Sequence, residues 1–150
     1  MELSVSDNYH TIKELKQLLA DTYGLYLKTQ NYHWNVKGPN FHSLHSLFEI
    51  QYKELAEMVD TLAERILILG GKTPATFKEF SDLTKISYGN SEISADEMIA
   101  DLCSDQKRIV SDLKKLIAAA QPANDEGTVA MASDLISRHE KACWILQNHI

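Results

Sequence analysis

A chain of 150 residues that is 44% hydrophobic and 24% charged, with 6 Gly and 3 Pro, has the make-up of one soluble domain spanning residues 1–150. It holds too little turn chemistry for a β-sandwich and too much apolar matter for a disordered polymer. A formal charge of −6 argues against general attraction to nucleic-acid phosphates, and no stretch approaches the ~20 apolar residues of a membrane helix. Residues 1–10 lack the basic and apolar regions of a secretory signal. Cys103 and Cys143 are too few for a disulfide framework, and read as small buried hydrophobes in a protein of the reducing cytoplasm.

Apolar residues recur at helical spacing in four long stretches. The first runs Tyr9, Ile12, Leu15, Leu19, Thr22, Tyr26, Thr29, His33, and the second Phe41, Leu44, Phe48, Tyr52, Leu55, Val59, Leu62, Ile66, Leu69. The third is Met98, Leu102, Ile109, Leu113, Leu116, and the fourth Val129, Ala132, Ile136, Ala142 or Cys143, Leu146. Asp96 or Ser94 is placed to cap the third helix, and Asn124 or Asp125 the fourth. No strand-like alternation persists.

Short turns at Lys37–Asn40 and Gln121–Asn124 make two antiparallel helical hairpins. Gly70–Ser94 is long enough to return along the bundle, with a small helix expected over Thr76–Thr84. The expected fold is all-α: a ferritin-like four-helix bundle with one long crossover that contains a short helix.

Chemistry concentrates around the first turn and along the second helix, in His33, His42, His45, Glu49, Asp60 and Glu64. At 100° per residue, His45, Glu49, Asp60 and Glu64 share one flank of the apolar stripe with Ala56 and Ala63. A metal site inside the bundle would need Glu-x-x-His on two helices, and no histidine follows a glutamate by three. His45 and Asp60 lie ~22 Å apart along one helix, so no ion touches both within one chain.

Two copies of this helix crossing antiparallel near residues 52–54 would bring His45 of one to Asp60 and Glu64 of the other. Symmetry then makes two equivalent sites, and His33 is placed to join His45. Two imidazoles with two or three carboxylates and no thiolate suit iron, manganese or zinc, and zinc is expected to compete with iron there. The structural alternative makes His33 and His45 core-edge residues, with Asp60 and Glu64 solvated and paired to Lys53 or Arg65.

The run His33-Trp34-x-Val36-x-Gly38-x-x-Phe41-x-x-Leu44-His45, then Phe48-x-x-x-Tyr52, then Asp60-x-x-Ala63-Glu64-Arg65, resembles the signature of the Dps family of miniferritins. The likeness continues through Gly70-Gly71 and Thr76-x-Lys78-Glu79-Phe80 to Asp125-Glu126-x-Thr128 and His139-Glu140-Lys141-x-x-Trp144. It implies a homo-oligomer, a dodecameric hollow shell. Such a shell oxidises Fe(II) to Fe(III), preferably with hydrogen peroxide rather than oxygen, and stores the product, which protects DNA from oxidative damage. The resemblance places a di-iron or mono-iron ferroxidase site across a two-fold interface. His33, His45, Asp60 and Glu64 match its ligand positions, and Glu49 stands where the family often has Asp.

Other residues carry a functional and a structural reading side by side. Trp34 is either a redox partner of the centre or a packed interface aromatic. Tyr52 and His139 read as core, and His42 and Glu57 as surface. By resemblance Asp125, Glu126 and Asp134 border an acidic pore, although Ala130 stands where relatives often carry Asp; the structural reading is helix N-terminal charge. A DNA-compacting role is the alternative function. The first twelve residues hold no Lys or Arg and the chain ends Gln147-Asn-His-Ile150, so direct DNA binding is expected to be weak.

Overall fold

The computed structural model describes residues 8–150. Residues 1–7, on which the reading of a signal-free, non-basic N-terminus partly rests, lie outside the described residues. Helices α1 (Tyr9–Asn35) and α2 (Phe41–Ile68) form the first hairpin. Helices α4 (Ala95–Ala120) and α5 (Glu126–Gln147) form the second, joined by a 3₁₀ turn at Gln121–Ala123. The crossover carries the expected short helix, α3 (Phe77–Leu83). The architecture is the ferritin-like four-helix bundle, and the described residues contain no strand.

Local chemistry fixes several helix ends. Ser94 and Glu97 make a capping box at α4: Ser94 Oγ accepts from the Glu97 amide, and Glu97 Oε1 accepts from the Ser94 amide. Asp125 caps α5 by accepting from the Thr128 amide at 3.1 Å. Helix α2 ends where Gly70 takes φ 90°, with the Gly71 and Gly70 amides donating back to the Ile66 and Leu67 carbonyls, the paired bonds of a Schellman stop.

The core gathers Leu15, Phe48, Leu62, Met98, Leu116 and Leu146, each essentially inaccessible to solvent. The stripe expected along α1 is buried from Ile12 to His33, with Tyr26 half-buried, but it is wider than expected: Leu18, Leu25 and Tyr32 are fully buried as well, whereas Tyr9 is exposed. Helix α1 packs against α2, α4 and α3, so it buries a broad surface rather than one narrow seam.

Two polar clusters lie in that surface. Lys28 Nζ sits 2.9 Å from Asp101 and 2.8 Å from Asp105, and Tyr32 donates to Asp101 at 2.6 Å. Two turns nearer the start of α1, the buried Asp21 accepts from Gln17, Thr84 and the Lys85 amide, pinning the crossover to α1. Asp112 on α4 is buried near Asp21, and burial beside that second carboxyl pushes its pKa up to about 6.

The cysteines differ from expectation. Both are buried, but they are not separate inert hydrophobes: Cys103 of α4 and Cys143 of α5 are joined by a disulfide, with Cα atoms 4.7 Å apart. The hairpin makes the bond possible, because it lays two positions 40 residues apart in sequence side by side.

Candidate metal centre

The tight α1–α2 turn folds the last turn of α1 against the start of α2 and stacks the His33 and His45 rings, with centroids 3.8 Å apart and planes 11° from parallel. His33 Nδ1 donates to the His45 carbonyl at 2.6 Å, and His45 Nδ1 donates to the His33 carbonyl at 2.7 Å. A carbonyl only accepts, so each Nδ1 carries a proton, and Nε2 is the nitrogen of each ring left for a metal. Phe41 stacks on His45 at 5.0 Å, and Tyr52 meets His33 edge-on at 5.3 Å, so the rings are held by packing as well. Glu49 Oε1 lies 4.0 Å from His33 Nε2.

The carboxylates at the other end of α2 stay apart from this half. Asp60 and Glu64 are exposed and one turn apart, and neither has an ion-pair partner among the described residues. Lys53 pairs with Glu49 at 3.6 Å and Arg65 with Asp125 at 2.7 Å, so neither base neutralises them. Accordingly, no three His, Cys, Asp or Glu side chains among the described residues gather closely enough to hold an ion. One chain presents a nitrogen-rich half and a carboxylate half, ~22 Å apart on a straight helix.

Trp34 follows His33 but points elsewhere in the packing: 61% exposed, it lines a cleft of about 470 Å³ with Leu27, Phe77 and Tyr88. His42 and Glu57 are exposed and Tyr52 is half-buried. His139 is a buried histidine whose ring bonds to Gln106 at 2.5 Å, and burial lowers its pKa to about 4. Asp125 is buried: desolvation opposes its charge, yet bonds from Thr128 and Arg65 hold its carboxyl below the usual range. It therefore locks α2 to the start of α5. Glu126 and Asp134 are exposed, with Asp134 3.3 Å from Arg138.

A ferritin-like domain model matches residues 12–150. The chain is 36% identical over 140 residues to DNA protection during starvation protein 2 of Bacillus anthracis, covering 93% of this chain and 96% of that one. It superposes on the crystal structure of a Dps protein from Bacillus brevis with a TM-score of 0.93 at 35% identity, over 98% of this chain and 99% of the other. The chain belongs to the Dps family. A Dps protein from Vibrio cholerae, described as a member of the ferritin-like diiron-carboxylate superfamily, also superposes with a TM-score of 0.93, at 30% identity over 97% and 92% of the two chains.

For this Dps chain, periodicity alone missed three features: the disulfide, the Lys28 cluster and the Asp21–Asp112 pair. A signal existed for the second. Lys28 lies three residues from the buried Leu25, and Asp101 and Asp105 are spaced to share one face of α4.

Proposed function

We propose that this chain, as one domain over residues 1–150, is a ferroxidase and iron-storage subunit of a closed homo-oligomeric shell, twelve subunits by family resemblance. The observation that carries the proposal is the split along α2: His45, stacked on His33 from the end of α1, stands at one end with Nε2 free on both rings, and two unpaired carboxylates stand at the other. Two chains running antiparallel join His33 and His45 of one to Asp60 and Glu64 of its mate and complete two sites at once. Glu49 reaches the same place, directly or through water. The exposed apolar cleft containing Leu27, Trp34, Phe77 and Tyr88 lies beside the histidine half and suits burial against a second copy.

The substrate is Fe(II), for which imidazole and carboxylate are fitting ligands; zinc, which has no redox chemistry, competes for them. Each Fe(II) gives one electron. Hydrogen peroxide takes two electrons and two protons and leaves as two waters, and oxygen is the slower alternative oxidant. The crossed histidine bonds fix the orientation of both imidazoles and leave each Nε2 for the metal before iron arrives. Trp34, next to His33 in sequence, faces the neighbouring cleft and would be buried against the second copy. Glu126 and Asp134 are the exposed carboxylates that would draw Fe(II) towards an entry pore, whereas Asp125 serves mainly to hold Arg65.

Removing Fe(II) and peroxide together protects DNA without coating it, and the name of the Bacillus anthracis relative supports that outcome. The setting proposed is the cytoplasm; no helix among the described residues is long and apolar enough to cross a membrane.

Mixing two inactive variants tests the shared site. Shells of His45→Ala and of Asp60→Ala are each expected to lose Fe(II) oxidation. Subunits exchanged between them should regain part of it, because a mixed pair contains one intact site. No recovery despite demonstrated exchange would overturn the cross-subunit assignment.

A further inference from the structure

On the α4–α5 side of the bundle lies a second group of reactive side chains that the metal centre does not use. Cys103 and Lys107 are four residues apart on α4, and His139 and Cys143 four apart on α5, so each pair shares a helix face. Lys107, His139 and Cys143 line one cleft of about 240 Å³ together with Glu140, Trp144 and Gln147. Cys103 is absent from that lining and sits behind Cys143, to which it is bonded. Both cysteines are buried, and of the two only Cys143 borders this cleft.

The surroundings of Cys143 suit a nucleophile. His139 Nδ1 donates to Gln106 Oε1, so its Nε2 is the unprotonated nitrogen. Burial holds the ring neutral, with its pKa lowered to about 4, so it is a weak base whose Nε2 is left as a hydrogen-bond acceptor within the cleft. The Lys107 ammonium in the same cleft favours a thiolate over a thiol.

We propose that Cys143 and Cys103 form a peroxide-reducing thiol pair, separate from the metal centre, with Cys143 attacking and Cys103 resolving. The Cys143 thiolate attacks one oxygen of hydrogen peroxide and breaks the O–O bond. The departing hydroxide takes a proton and leaves as water, and Cys143 becomes a sulfenic acid. The Cys103 sulfur then attacks Cys143, forming the disulfide present in the structure and releasing the second water. Two thiols lose two electrons and one peroxide gains them. A dithiol reductant restores the pair by exchange. Cytoplasmic disulfides are usually transient and reactive rather than permanent staples, which fits the setting proposed above.

The test uses assembled, iron-free protein with a chelator present, so that Fe(II) oxidation contributes nothing. The native shell is reduced with dithiothreitol, desalted and given stoichiometric hydrogen peroxide, and its thiols are counted with time. The expected result is loss of two thiols per chain, a mass lower by two hydrogens, and recovery on further dithiothreitol. Cys103→Ser should stop at a sulfenic acid on Cys143 that dimedone labels, and Cys143→Ser should leave peroxide unconsumed. His139→Gln, which removes the Nε2 acceptor from the cleft, should slow thiol loss. Lys107→Ala, an exposed change that spares the core, should slow it too. A disulfide that dithiothreitol cannot open in the native shell overturns the proposal, as do thiols that persist in peroxide, dimedone labelling of Cys103 alone, or rates unmoved by Lys107→Ala and a folded His139→Gln.

Discussion

His33 and His45 orient each other through crossed hydrogen bonds, each Nδ1 donating to the other residue's backbone carbonyl at 2.6 and 2.7 Å. The acceptors belong to the main chain, so they survive substitution of either side chain. Replacing one histidine removes a single ligand and leaves the other imidazole in its tautomer and orientation.

Zinc binding reads that independence. Shells of His33→Ala and His45→Ala should each bind zinc more weakly, by on the order of tenfold or more, while the double variant loses the site. In the parent protein, zinc added before Fe(II) and peroxide should slow ferric product formation in stopped flow without changing shell size. Saturating zinc bound at these residues with an unchanged initial rate would place oxidation elsewhere.

The charge balance makes a separate prediction about DNA. With −6 on every chain, assembled shells should leave plasmid mobility unchanged near pH 7.5 in chelator-treated buffer of low magnesium. A salt-sensitive gel shift under those conditions would favour the compaction role.

Asp112 predicts a pH dependence of stability. Its pKa is raised from 3.8 to about 6 by burial and by the Asp21 carboxyl, with Arg108 and Lys115 pulling the other way. The folded chain therefore favours the neutral acid. This group's contribution is full below about pH 4 and is lost as pH rises through about 6, a change of up to about 3 kcal/mol for a shift from 3.8 to about 6. Asp112→Asn keeps a donor towards Asp21 without the charge. It should raise stability to denaturant at pH 8 and gain progressively less towards pH 4; equal gains at both would remove Asp112 as the cause.

Gly127 predicts a reversal of the usual sign. An added Cβ there would stand 2.7 Å from Arg65 Nη2, the atom bonded to Asp125. Glycine to alanine within a helix ordinarily stabilises by about 1 kcal/mol, but here Arg65 must move. Gly127→Ala should lower the melting temperature in the parent and raise it in an Arg65→Met background, as a double-mutant cycle by calorimetry would record.

The bundle was legible because its signals are local. Ser94, Asp125 and Thr76 announce helix starts within three residues, and the long Gly70–Ser94 connection dictates the crossover. At the centre, the α1–α2 turn could be read as placing His33 beside His45, since one short connection joins them. The exact burial of α1 escaped because three neighbours cover it, and periodicity describes one. The Cys103–Cys143 bond escaped for a different reason: its partners are 40 residues apart, and only the register of α4 on α5 aligns them. Lys28 escaped because a buried ammonium is excluded by pattern until its two carboxylates are known.

Helix α2 runs 28 residues without glycine or proline, and the two ends of the candidate centre ride on it. It therefore behaves as a ruler. A single residue inserted between His45 and Asp60 would swing the carboxylates by 100° and slide them 1.5 Å relative to the histidines. In a two-fold pair that one error would misalign both centres together. Substitutions along the solvent side of this stretch leave the spacing intact, whereas its length admits no drift: selection on such a rod would act on residue count as strictly as on residue identity.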